Sequence, residues 1–270
     1  MLILYHLPIL PSVYFYHTEE SLLATFLFRQ ILPKPIIMES AYKNLSLFFV
    51  IILAFVVLGF FKSYFGLFPT FNGVTTVQHF HGAMMLSWFA MLIVQPMLIR
   101  YKKMEWHRRI GKLSYVLVPL ILVSIFLVTK TGFMRHSAIL PKPVNIGGLA
   151  LDIPNIFAFA TFYILAMLNK NNSTYHMRYM IATSLLLIGP GTGRAFIIYG
   201  GMPFPQGVLY SIILTELIAV VLIIYDKVKG NDIKPYVITL SILIAMHMIW
   251  QFQMSWWWQA FGERFAAWFF

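Results

Sequence analysis

Long apolar segments alternate with short polar ones from about residue 45 to the end of the chain. A helix needs about 20 mainly apolar residues to cross the hydrocarbon core of a bilayer. The pattern predicts seven such helices, over about Leu45–Leu67, His79–Ile99, Leu113–Phe133, Leu149–Leu168, Tyr179–Tyr199, Gly207–Tyr225 and Tyr236–Trp257. Because the linkers are short, consecutive helices are expected to be antiparallel neighbours. The fold class predicted is therefore all-α, a polytopic bundle in a lipid bilayer.

The composition supports this prediction. Of the 270 residues, 60% are hydrophobic and only 11% are charged, whereas a soluble domain carries about 25% charged residues. The 25 Phe suit lipid-facing surfaces and interfacial belts. Since no long polar linker divides the chain, residues 41–270 are expected to form a single domain.

The first 40 residues differ from the rest. Met1–Tyr16 is apolar but contains Pro8 and Pro11 and has no basic start, which makes it a poor signal peptide, and it is too short to span a membrane. Met38 precedes a polar stretch and then the first long apolar segment. We expect Met38 to be the true start, with residues 1–40 a poorly structured or extraneous extension.

Lys and Arg concentrate in the linkers after the second, fourth and sixth predicted helices. Basic loops of membrane proteins face the cytoplasm, so the bias predicts an N-terminus inside and a C-terminus outside. The net charge of +11 is explained by these loops, and nucleic-acid binding is not expected because no basic patch lies elsewhere.

Several familiar chemistries are absent from the sequence. The chain has no Cys, which excludes disulfides, thiolate metal sites and Cys nucleophiles. It has no phosphate-binding glycine loop, no Ser-His-Asp signature and no dinucleotide fingerprint. Whether the protein is an enzyme is left open by these patterns.

The second predicted helix carries a polar stripe. His79 and His81 lie at its start, and Trp88 and Gln95 follow His81 at seven-residue intervals, which places the three on one helical face. Such a stripe either packs against neighbouring helices, as polar residues in membranes often do, or lines a ligand site.

Two further histidines, His107 and His176, stand beside arginines at the starts of the third and fifth predicted helices. Interfacial anchoring and a ligand role are both open for them. Inside the fifth helix, the run Gly189–Arg194 indicates a broken helix with an intramembrane cation. Arg194 either pairs with Asp152 or neutralises an anionic ligand group. Glu216 and His247 need partners as well.

His81-Gly82, Gln95-Pro96, the basic run from His107 to Tyr115 and the run from His176 to Met180 resemble an uncharacterised bacterial membrane-protein family, domain of unknown function 2306. The stretch from Pro190 to Arg194 fits the same pattern. The resemblance covers about Val74 to Tyr199 and implies a membrane protein without specifying an activity.

A weaker likeness is to two-haem b-type cytochromes of the transmembrane ascorbate-reductase kind. That family holds two haems between helices, each with two His ligands. The likeness implies haem b as cofactor and His81, His107 and His176 as iron ligands. It implies an inner pair, His107 with His176, and an outer pair, His81 or His79 with His136 or His247.

The leading hypothesis is therefore a haem-binding electron carrier working with a quinone or a redox partner protein, in which arginines balance the propionates. A transporter or channel-like protein using Arg194, Asp152 and Glu216 is the alternative. A membrane enzyme with Zn or Cu held by His79, His81 and a third His, and a structural subunit without chemistry, are also open.

Overall fold

The computed structural model describes residues 43–270. The prediction of an extension over residues 1–40 with a start at Met38 lies outside them. Residues 43–270 contain no strand, which agrees with the predicted all-α class.

Ten α-helices make up this part of the chain, together with one 3₁₀ turn, Phe65–Leu67. They are α1 Leu45–Phe60, α2 Thr76–Arg100, α3 Met104–Gly111, α4 Ser114–His136, α5 Lys142–Leu168, α6 Ser173–Leu185, α7 Ile188–Ile198, α8 Phe204–Val228, α9 Lys234–Gln251 and α10 Trp256–Phe269.

The two ends of the bundle differ in charge. One end, which we call the basic end, holds α3 and the turns 169–172 and 229–233, with most of the Lys and Arg. The other, the distal end, holds the connections 61–75, 137–141, 199–203 and 252–255.

Seven helices form a closed ring in the order α1, α2, α4, α5, α9, α8 and α7, each packing against the next. The remaining long element, α6, packs against α5 and α9, and its residues from Ile181 to Leu185 are all buried. The helix therefore fills the interior of the ring, and its apolar side chains contact Trp88, Phe89 and Phe159 of the main core.

The predicted fifth helix is broken, as its Gly and Pro content indicated. The break falls at Leu186–Leu187, and Pro190 lies in the first turn of α7. Backbone N–H groups in the first turn make no hydrogen bond within the helix, so the lack of an N–H in proline costs nothing there. Because of the break, α6 lies inside the ring while α7 joins the ring between α1 and α8.

Glycines allow α7 to approach both neighbours closely. A Cβ added at Gly191 would lie 2.8 Å from Val56 Cα of α1, and one added at Gly193 would lie 3.1 Å from Ser211 Oγ of α8. Small residues commonly bring membrane helices this close. The glycines at positions 191 and 193 therefore serve helix packing.

Five elements are long and apolar enough to cross a membrane: α2, α4, α5, α6 together with α7, and α8. A sixth is obtained if α9 and α10, bent by 94° at their junction, count as one span, and α1 is a shorter apolar helix of 16 residues. These helices are compatible with a multi-pass integral membrane protein. Helices α3 and α10 were not predicted as separate elements.

We expect Gly191→Ala to lower the free energy of unfolding by about 1–3 kcal/mol, since its methyl group would overlap the backbone of α1. Gly148→Ala is the matched control, because a Cβ there has no atom within 4 Å, and it should be neutral or stabilise by about 0.5–1 kcal/mol. Denaturant unfolding in micelles measures both. Equal effects of the two variants would contradict the close packing of α7.

Candidate functional site

His107 and His176, which the resemblance to two-haem cytochromes implied as an inner pair, both lie at the basic end. His107 lies on the short helix α3, which packs against the end of α2. His176 lies in the first turn of α6, whose start is capped by the Asn172 side chain accepting from Tyr175 N at 3.2 Å. The two imidazoles are close enough for their charges to interact.

The His176 ring is oriented by the backbone of α5. Its Nδ1 lies 2.9 Å from the Ala166 carbonyl oxygen, which can only accept. Neutral His176 therefore carries its proton on Nδ1, and its Nε2 holds a free lone pair. Iron-ligating histidines typically donate their second ring nitrogen in this way.

Gln95 orients His107. The terminal amide of Gln95 lies 2.5 Å from His107 Nδ1, and with the amide oriented to satisfy its neighbours it also donates to the His107 carbonyl and accepts from Gly111 N. In that orientation Nδ1 accepts and Nε2 carries the proton. Rotation of the amide would present its oxygen to Nδ1, which would then carry the proton and leave a lone pair on Nε2. The orientation of the Gln95 amide therefore decides whether His107 has a free lone pair.

Burial lowers the pKa of His107; a hydrogen bond with the Gln95 backbone raises it, and the nearby His176 and Arg108 lower it. The net shift is downward from 6.5, so His107 is neutral at pH 7. A neutral imidazole is the form that binds a metal or exchanges a proton.

Aromatic side chains of α2 and α5 pack together in the main core. Trp88 lies on the same face of α2 as Gln95 and packs edge-to-face against Phe159 and Tyr163. Tyr163 hydrogen-bonds Ser114 at the start of α4. The Trp88 Nε1 is buried without a hydrogen-bond partner among the described residues, which identifies this layer as a place where a ligand could satisfy a polar atom.

Arg178, two residues after His176 on α6, belongs to a buried ion pair. Arg178 donates from Nε to Asp226 Oδ2 at 2.6 Å and from Nη2 to Oδ1 at 2.7 Å, and both side chains are fully buried. Arg178 also donates to the Thr174 carbonyl, and Asn231 donates to Asp226. Arg178 is therefore committed to Asp226, so it is not one of the arginines expected to balance propionates.

The sequence did not single out Asp226. The signal was present, since Asp226 is an acidic residue at the end of an apolar segment and Arg178 is a cation at the start of another. Interfacial residues of this kind usually face water, and only the packing of α6 inside the ring shows that these two are buried.

A second group of polar side chains lies towards the distal end: His81, Thr129, Asp152 and Arg194, here called the distal polar site. His81 Nδ1 lies 3.1 Å from Ser124 Oγ, and the Ser124 hydroxyl donates its own hydrogen bond to the Ile121 carbonyl. His81 therefore donates from Nδ1, and its Nε2 lone pair is free. Arg194 is close enough to interact electrostatically with His81 and with Asp152.

Arg194 and Asp152 do not form the direct pair that the sequence left open. Among residues 43–270 no ion pair joins them. Arg194 instead donates to the Pro190 carbonyl at 3.1 Å and lies 4.3 Å from the centre of the Phe60 ring.

The other histidines have separate environments. His79 Nδ1 lies 2.9 Å from the Tyr64 hydroxyl, and His136 is exposed at the end of α4. His247 contacts Glu216 through Nδ1 at 3.0 Å and Gln251 through Nε2 at 3.1 Å. With both ring nitrogens engaged, His247 has no lone pair left for iron, and His81 faces Ser124 and Arg194 instead of an outer histidine partner.

In the part of the chain that the structure describes, no three His, Asp or Glu side chains cluster as a metal site would require. Comparisons with family models, with curated proteins and with solved structures find no match for this chain.

We expect Asp226→Ala to destabilise the protein by about 3–5 kcal/mol, because it leaves the Arg178 charge buried and unpaired. The exposed Lys142–Glu263 pair provides the control, and Glu263→Gln should cost about 0–1 kcal/mol. Replacing both partners, as Arg178→Met with Asp226→Leu, should recover much of the loss. Unfolding in micelles distinguishes these cases, and equal losses for Asp226→Ala and Glu263→Gln would exclude a buried pair.

The free energy of unfolding should fall as the pH is lowered, because His107 becomes protonated. The folded-state pKa of His107 is lowered, so its contribution is fully present above the unfolded-state pKa of about 6.5 and is lost as pH falls towards the lower folded value. Thermal unfolding between about pH 7.5 and pH 5 should show a larger drop for the parent protein than for His107→Gln. Identical pH profiles would show that His107 stays solvated.

Proposed function

We propose that this protein is a seven-span membrane protein that binds one haem b between His107 and His176 and transfers electrons to or from a quinone or a redox partner protein. The observation that carries the proposal is that two imidazoles, each with a polar partner at Nδ1, lie within electrostatic range of each other at one end of the bundle.

The membrane topology follows from the ring. We take all seven ring elements as spans, with α6 and α7 as one crossing and α1 as the shortest. The basic end then faces the cytoplasm by the Lys and Arg bias, which puts the N-terminus inside and the C-terminus outside. The bacterial cytoplasmic membrane is the compartment this bias fits.

The residues at the basic end fit a haem. His176 offers a free Nε2, and His107 would offer one once the Gln95 amide has rotated to present its oxygen to Nδ1. Bound there, the haem would supply one-electron chemistry, and the ligand set would tune its potential. The chain itself positions both imidazoles and keeps them neutral. The exposed Arg108 and Arg109 of α3 are the cations nearest His107 in sequence.

The two-haem arrangement fits less well. His247 has both ring nitrogens engaged and His136 is exposed at the helix end, so neither is placed to complete an outer pair with His81. We therefore propose one haem. The transporter alternative draws on Arg194 and Asp152, but Glu216, its third residue, is paired with His247.

An absorption spectrum tests the proposal. The full-length protein, purified after expression with ample haem, should show a Soret band. Its α-band should sharpen when the haem iron is reduced. His107→Ala and His176→Ala should each lose most of the bound haem, since a bis-His site fails with one ligand. His136→Ala and His247→Ala are the controls and should keep it. A haem-free parent protein, or haem retained in both ligand variants, would refute the site.

A further inference from the structure

The distal polar site contains a buried hydroxyl group that does not form a hydrogen bond of good geometry. Thr129 is only 5% exposed, and its Oγ1 has no hydrogen-bond partner among residues 43–270. It lies near the Asp152 carboxylate but outside hydrogen-bond geometry. A buried hydroxyl without a partner costs free energy, and native proteins usually satisfy such groups with water or a ligand.

The two charges of the site are enclosed by protein and yet open to solvent. Asp152 lies on the same face of α5 as the buried Leu149 and Phe159, so it points into the ring and not towards lipid. Both Asp152 and Arg194 are nevertheless solvent-accessible. Their charges interact, and in the part of the chain that the structure describes no ion pair joins them. In a membrane protein, opposite charges held apart in this way indicate a polar compartment.

The fold explains why this compartment exists. Helix α6 fills the interior of the ring near the basic end and stops at Leu185, and α7 moves out into the ring. Beyond Leu185 no helix among the described residues continues along the centre of the ring. Two kinds of side chain occupy the distal half: an apolar core from α5, α8, α9 and α10, and the distal polar site, whose four residues lie on α2, α4, α5 and α7.

The functional groups are divided into donors and acceptors. Arg194 retains N–H groups beyond the one given to Pro190, and Thr129 offers a hydroxyl. Asp152 offers a carboxylate, and His81 offers its free Nε2. A lone anion would be repelled by Asp152 and a lone cation by Arg194, whereas a molecule carrying both charges is attracted at each end.

We propose that the distal polar site binds a small zwitterion of the α-amino-acid type, with its carboxylate towards Arg194 and its ammonium group towards Asp152 and His81. The site is separate from the proposed haem site at the basic end, and its test does not depend on haem.

Thiol labelling tests the proposal, because the chain contains no Cys and a single introduced thiol is the only reactive one. Thr129→Cys places the thiol in the site, and Val123→Cys places it on the exposed surface of the same helix, in lipid. The full chain in lipid nanodiscs is treated with a membrane-impermeant methanethiosulfonate that carries a sulfonate. Thr129→Cys should react at least about tenfold faster, since only a hydrated thiol ionises.

Glycine is the probe for the ligand. An excess of glycine should slow labelling of Thr129→Cys roughly twofold or more by occupancy, and acetate or methylammonium at the same concentration should protect much less. Adding Arg194→Gln, or separately Asp152→Asn, to Thr129→Cys should abolish protection by glycine. Two charge variants are used so that a folding defect in one leaves the other informative.

Each other outcome overturns part of the proposal. If Thr129→Cys reacts no faster than Val123→Cys, the compartment is not open to solvent and no polar site exists there. If labelling is fast but neither glycine nor a mixture of larger amino acids protects, the ligand class is wrong. If acetate protects as well as glycine, the site binds anions only.

Discussion

The buried bidentate pair between Arg178 and Asp226 is the interaction on which the rest of the structure depends. Both side chains are fully buried, and taking two charges out of water carries a large desolvation cost that only good geometry and further hydrogen bonds offset. The parallel N–H···O bonds at 2.6 and 2.7 Å, together with Thr174 and Asn231, provide that geometry. The pair ties the start of α6 to the end of α8, and so fixes a helix inside the ring.

Two chemically different ends follow from this constraint. Because α6 is held inside the ring near the basic end, His176 in its first turn faces His107 on α3. Because α6 stops at Leu185 and α7 packs between α1 and α8, the distal half keeps polar groups from four helices around its interior. The chain thus separates a histidine pair from a charged site along one axis.

The histidines gain distinct roles from the acceptors beside them. His176 donates a hydrogen bond from Nδ1 to the Ala166 carbonyl, and His81 donates one from Nδ1 to the Ser124 hydroxyl. Each of these histidines therefore keeps a free lone pair on Nε2. His247 is held at both nitrogens by Glu216 and Gln251 and is structural in character. The hydrogen-bond partners of each histidine therefore decide whether one of its ring nitrogens keeps a free lone pair that could bind a ligand.

The sequence alone determined the helical class, the apolar segments, the basic end and the break near Pro190, because hydropathy and backbone chemistry are local properties of the chain. The resemblance to two-haem cytochromes also implied that His107 and His176 form a pair. Only the tertiary structure decided that Asp226 is the partner of Arg178, that Arg194 and Asp152 stay apart, and that His81 lacks an outer histidine partner. Those outcomes depend on which helix faces are turned inward, and a ring of packed helices sets them through contacts between residues far apart in sequence.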